Sequence, residues 1–135
     1  MLVEKLQDMT WLEGSNWPKL RLWVRDIPWD PNGFVAKFTL RKVEDGEIIV
    51  DHADAVITEI DYWDPGYTVE SYVMSYWQEN PTWQFVLEYE WDAADLTTPG
   101  EFYAMFSCVD ISNQKTAHIP SNEKLIMRVI PHANP

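Results

Sequence analysis

From residue 20 onward the apolar side chains of this chain recur at every second position, and helix-length periodicity is absent after residue 15. Leu20, Leu22 and Val24 alternate with Arg21, Trp23 and Arg25. In FVAKFTLRKV (34–43), Phe34, Ala36, Phe38 and Leu40 fall on one side and Lys37, Thr39 and Arg41 on the other. WQFVLEYEW (83–91) is the cleanest case, with Trp83, Phe85, Leu87, Tyr89 and Trp91 opposed to Gln84, Glu88 and Glu90. KLIMRVI (124–130) sets Leu125, Met127 and Val129 against Lys124 and Arg128. Side chains on a strand point alternately to its two faces, so this pattern predicts strands with one buried face. Glu44-Asp45-Gly46 reads as a hairpin turn into EIIV (47–50), and ADAVITEI (53–60) follows as another strand. Seven or so short strands separated by turn signals predict an all-β sandwich or barrel and argue against a βαβ architecture.

DLTTPGEFYAMF (95–106) is a turn and a strand with one apolar face too many. Pro99-Gly100 is the turn signal. Phe102, Ala104 and Phe106, with Cys108 next in line, point one way, while Tyr103, Met105 and Val109 point the other. A strand with a wetted second face would carry polar residues there. Tyr103 and Met105 are therefore expected to lie under the 61–82 stretch or under a neighbouring subunit.

Two segments break the alternation. Residues 2–12, LVEKLQDMTWL, place Leu2, Leu6 and Met9 at helical spacing and predict a short helix or an arm that orders against a neighbour. Residues 61–82 carry Tyr62, Trp63, Tyr67, Tyr72, Tyr76 and Trp77 among acidic and amide groups, bounded by Asp64-Pro65-Gly66 and Asn80-Pro81. Such an aromatic excursion packs on its own side chains or on a partner. The expected organisation is an N-terminal arm over 1–17, a β domain over 18–131 with the 61–82 excursion, and a tail over 132–135.

At 135 residues with 46% apolar content the chain can bury a core. Its net charge of −12 keeps it soluble and disfavours nucleic acid, whose phosphates need a basic surface. A mimic of DNA would need carboxylates at phosphate-like density, whereas here they interleave with apolar positions. The single cysteine excludes an internal disulfide framework and reads as a buried, inert thiol. No run approaches a membrane span, and the N-terminus lacks a signal-peptide core, so synthesis in a cytoplasm without membrane insertion is expected.

Enzyme templates fail one by one. His52, His118 and His132 stand far apart, and neither HExxH, GxSxG nor a glycine-rich phosphate loop occurs. Asp51-His52-Ala53-Asp54, Asp61 with Asp64, and Asp92 with Asp95 are carboxylate groups, but none matches a calcium loop and acidic turns are ordinarily solvated. No catalytic residue, metal or cofactor is assigned. Eight tryptophans exceed what a core of this size holds, which leaves some at the surface or in contacts with partners. The interface candidates are Trp23, Trp63, Tyr67, Tyr72, Tyr76, Trp77, Tyr103 and Met105. Exposed rings also stack on sugars, which keeps a carbohydrate-binding module for host cell-surface glycans as an alternative.

The order of features resembles the N-terminal immunoglobulin-like domain of phage baseplate upper proteins and related virion domains of tailed phages. The matching stretches are LRLWVRD, FVAKFTLRKVEDGEIIVDHADAVI, FVLEYEWDAADLTTPGEFYAMFSCVD and HIPSNEKLIMRVIP. The most specific run is Trp91, Asp95, Pro99-Gly100, Phe102, Ala104 and Phe106, followed by the turn Pro120, Ser121-Asn122-Glu123. The chain departs from that pattern in its longer 61–82 stretch and in having no coil or fibre after Pro135. The resemblance covers roughly residues 18–131 and implies an immunoglobulin-like β-sandwich with Greek-key connections. It also implies a non-enzymatic virion protein at the tail tip or baseplate, bound to other virion proteins and self-associating in multiple copies. Head decoration and head–tail joining are the alternatives within the virion.

Overall fold

Strands form wherever the alternation runs, and in three places where it does not. The computed structural model describes residues 1–63, 81–121 and 124–132. It holds nine strands: β1 (Leu2–Lys5), β2 (Thr10–Leu12), β3 (Leu20–Ile27), β4 (Phe34–Lys42), β5 (Ile48–Trp63), β6 (Thr82–Tyr89), β7 (Gly100–Asp110), β8 (Lys115–Ile119) and β9 (Leu125–Ile130). They make one curled mixed sheet in the order β1-β3-β6-β5-β4-β7-β9-β2, with β8 paired to β7. All pairings are antiparallel except β2 on β9, which is parallel. The all-β expectation therefore holds, and no helix occurs among the described residues.

The helix read into residues 2–12 is corrected. That segment is split into two edge strands, β1 on β3 and β2 on β9. Helical spacing of Leu2, Leu6 and Met9 is a weak signal over eleven residues, and two unpaired sheet edges offer the backbone more hydrogen bonds than a lone helix face offers contacts. Trp11, midway along β2, is 2% exposed and belongs to the core.

β5 replaces the two strands expected at 47–50 and 53–60. It pairs with β4 through its first half and with β6 through its second. Extra residues at His52 and Glu59 shift the register, and both sit in the left-handed region at φ 49° and 51°. Asp26, at φ 56°, marks the same kind of shift between β3 and β6. A bulge of this type bends and twists its strand, so these three residues are where the sheet curls.

The curl lets the two halves of the sheet share a core. Leu20, Leu22 and Val24 of β3, Phe85 and Leu87 of β6, and Phe38 and Leu40 of β4 meet Phe102, Ala104, Phe106 and Cys108 of β7 and Leu125, Met127 and Val129 of β9. The core assignment of Phe102, Ala104 and Phe106 is met. A one-residue slip of β7 would move four buried side chains outward, each large one costing about 1.5–3 kcal/mol, so its register is firmly set. At one end, Trp11 and Trp91 pack edge-to-face at 5.3 Å, and Phe38 stacks on Tyr89 at 4.3 Å. Among the described tryptophans Trp11 and Trp91 are buried, Trp23, Trp29 and Trp83 partly so, and Trp17 and Trp63 exposed, so the core takes only a few of them, as expected.

The outward side of β3 and β6 is closed by ion pairs. Lys19 Nζ lies 2.8 Å from Glu88 Oε2, while Arg21 reaches Glu88 Oε1 at 3.1 Å and Glu59 Oε2 at 2.8 Å. The hydrogen bond from Lys19, followed by that from Arg21, holds the Glu88 carboxyl below its ordinary 4.5. A depressed carboxyl stabilises the fold above its unfolded-state value and loses that contribution as pH falls through the folded-state one. Glu88→Gln is therefore expected to be less stable than the parent at pH 7, with the gap closing progressively below about pH 4.5. Urea unfolding of both proteins across that range measures the gap; a constant difference would refute the assignment.

Candidate functional site

The outward side of β4, β7 and β9 is different. Arg41 is paired opposite Tyr103 and Thr39 opposite Met105, while Tyr103 faces Ile126 on its other side. Thr39, Arg41, Tyr103 and Met105 floor a groove of about 370 Å³. One wall is the β4–β5 hairpin with Lys42, Val43 and Gly46; the other is Pro120 and Lys124, ahead of β9.

Each wall has a local cause. The hairpin closes because Gly46 takes φ 75°, its N–H donates to Lys42 O at 3.0 Å, and Asp45 accepts the Glu47 N–H at 2.9 Å. The Glu44-Asp45-Gly46 turn read from the sequence is therefore present. Lys42 Nζ pairs with Glu47 at 3.2 Å, and that hydrogen bond holds its ammonium above the ordinary lysine value. Lys124 places its ammonium 4.6 Å from the centre of the Tyr103 ring, a cation–π contact. Beyond Lys124 and Pro120 a smaller hollow of about 70 Å³ adds Val3 and Lys5.

The predicted site residues that are described fall in three separate places. Tyr103 and Met105 come together on the groove floor, both half-buried, and the side chains over them among the described residues are those of the two walls. Trp23 lies on β3, where the Arg25 guanidinium covers its ring at 4.3 Å and Arg25 pairs with Glu4. Trp63 ends β5 and is 50% exposed, beside Tyr62, which packs on Trp83 at 4.6 Å. Tyr67, Tyr72, Tyr76 and Trp77 lie outside the described residues. Sequence reasoning missed Arg41, Lys42, Val43, Pro120 and Lys124. Arg41 and Lys124 each had a partial signal, since the alternation of β4 and of KLIMRVI put them on outward faces; that they share one groove had none, because Lys124 and its partner Tyr103 are distant in sequence.

One pair of side chains carries nucleophile–base chemistry in principle. Ser107 Oγ is 3.3 Å from His118 Nδ1, in a cross-strand row that continues through Lys37 to its salt-bridge partner Asp54. Neither Ser107 nor His118 lines the groove, and a nucleophile needs a hollow in which a reacting carbonyl can sit against oxyanion donors. The row satisfies the buried Ser107 hydroxyl. Among the described residues no group of three His, Cys, Asp or Glu could hold a metal ion.

Cys108 is fully enclosed, and burial pushes its thiol up to about 12. Thiolate is the reactive form, so Cys108 is expected to resist a disulfide reagent at pH 8 in the folded protein and to react fully in urea. Release of the chromophore on mixing reads both rates; rapid labelling of the native chain would show that β7 opens.

Comparison with family models, with curated proteins and with solved structures finds no match for this chain. Fold and groove define it as an all-β protein that gathers cations beside two apolar side chains on an outward sheet face.

Proposed function

We propose that this chain is a non-enzymatic structural protein of a tailed-phage virion, placed at the tail tip or baseplate and acting through protein–protein assembly. The observation that carries the reading is the groove over Tyr103 and Met105, the two residues whose apolar character on an outward face first called for a cover. The same reading takes the curled sheet as an immunoglobulin-like sandwich with Greek-key connections. Two features support it. The order β1-β3-β6-β5 beside β4-β7-β9 matches the two sheets of a constant-type immunoglobulin domain. Phe38 of β4 stacks on Tyr89 of β6 across the interior, as two facing layers would.

Mass spectrometry of purified virions tests the function. The chain is expected among the particle proteins, and its absence would overturn the proposal. A particle reconstruction then separates tail tip or baseplate from head decoration and head–tail joining. A glycan-binding reading rests on the exposed Tyr62 and Trp63 at the end of β5. Titration with host glycans, followed by tryptophan fluorescence, separates it from assembly; no response at millimolar ligand ends it.

A further inference from the structure

The groove has a charge sign opposite to that of the molecule. The chain carries ten Lys and Arg against twenty-two Asp and Glu. Three of those ten, Arg41, Lys42 and Lys124, line the groove, and Lys5 lines the hollow that continues it. Lys42 is matched by Glu47, whereas among the described residues Arg41, Lys124 and Lys5 form no ion pair. Of the hairpin's other acids, Asp45 caps its turn, and Glu44 lines a neighbouring hollow with Glu101 and Lys42. Elsewhere Lys19, Arg21, Arg25 and Lys37 are each tied to a carboxylate of the chain, while Lys115 and Arg128 form no ion pair among the described residues but stand opposite Asp110 and Glu101 of β7 in the sheet register.

We propose that this groove is the docking site for a short, extended, acidic segment of a partner protein. The inference rests on the assembly reading above and names the chemistry of its partner. The groove runs from Thr39 of β4 to Val43 just past its end, about 13 Å at strand rise, which fits about four extended residues. Its apolar side chains, Tyr103, Met105, Val43 and Pro120, take an aliphatic or aromatic side chain. Arg41 offers a bidentate fork for one carboxylate, with Lys124 and Lys5 for roughly one or two more. A longer polyanion gains too little: three cations do not offset its repulsion by a molecule of net charge −12. An acidic sugar is a poorer fit, because apart from these cations the lining offers only the Thr39 and Tyr103 hydroxyls as neutral polar groups, and Thr39 Oγ1 already accepts the His52 N–H at 3.4 Å.

The test is a titration of the full chain, labelled with ¹⁵N, using an acetylated and amidated peptide of alternating Glu and Leu with one central Tyr. Amide shifts are expected at Arg41, Tyr103, Met105 and Lys124. The Gln-for-Glu peptide should bind at least about tenfold more weakly, and added salt should release the acidic one. R41E/K124E, which changes two outward side chains, should abolish the shifts while keeping the dispersed spectrum of a folded chain. Absence of shifts at millimolar peptide, shifts confined to other strands, or equal binding of the Gln peptide would each overturn the proposal. So would tighter binding of a uronate oligosaccharide at the same amides, or groove shifts that follow the chain's own concentration without peptide. If the variant fails to fold, the Glu and Gln peptides on the parent chain still decide. None of these readouts depends on whether the chain is found in a virion, so the two proposals fail separately.

Discussion

Trp11→Ala is expected to destabilise the protein by about 3–5 kcal/mol, the range for removing a fully packed aromatic side chain. Trp11 is 2% exposed, stands edge-to-face against Trp91 at 5.3 Å, and donates its indole N–H to Pro18 O at 2.8 Å. Truncation leaves a cavity beside Trp91, whose ring is itself packed on Phe38 and Tyr89. Pro18 O keeps a donor, since Trp91 Nε1 also reaches it at 3.1 Å, so the loss is chiefly one of packing. Leu12→Ala, one residue on and exposed, should change stability by no more than about 0.5 kcal/mol. Urea unfolding of the three proteins gives the comparison. Equal midpoints for Trp11→Ala and the parent would mean that residues 1–17 are an appended arm after all, with no share in the core.

The second large effect falls on the turn between β6 and β7. Asp95 accepts two hydrogen bonds through one oxygen, from the Tyr89 hydroxyl at 2.6 Å and the Asp92 N–H at 2.9 Å. Asp95→Ala strands the buried phenol and should cost about 2–3 kcal/mol, because an unsatisfied partner of a charged group pays its full desolvation. Tyr89→Phe removes the donor and leaves the Asp92 bond, so about 1 kcal/mol is expected. Burial, reinforced by that hydrogen bond, holds the Tyr89 phenol above its ordinary 10.0. A raised acid contributes stability that is complete below the unfolded-state value and fades as pH rises through the folded-state one. Parent and Tyr89→Phe should therefore converge in stability above about pH 10, which unfolding curves measured from pH 8 to 11 will show. Parallel curves would place the phenol outside the hydrogen bond.

The same turn shows what was legible without coordinates. Asp95, Pro99-Gly100 and the alternation after them located a strand start and its inward residues, because turn chemistry and a period of two are local properties. Gly100 takes φ 144°, a conformation that favours glycine, and Phe102, Ala104 and Phe106 are all inward. β8 escaped notice because its hairpin turns on Gln114 at φ 53° instead of a glycine. β1 and β2 escaped because short edge strands are held by the edges they meet, which their own residues do not announce. The continuous β5 was hidden by bulges at His52 and Glu59, each of which reads in a sequence as a lost alternation.

Among the site residues, Tyr103 and Met105 were identifiable as outward apolar side chains in need of a cover. The cover itself was not, since the hairpin with Arg41 and Gly46 on one side and Lys124 on the other belong to separate parts of the chain and meet only through the β4–β7–β9 pairing. By itself the sequence determined that the chain is all-β, which face of each main strand is buried, and where the hairpin at 44–46 turns, all of which depend on neighbours within a few residues. The tertiary structure alone decided that Trp11 is core, that the sheet curls at Asp26, His52 and Glu59, and that cations scattered along an acidic chain collect in one groove. Those outcomes depend on strand order and register, which are settled by the burial of distant side chains against one another.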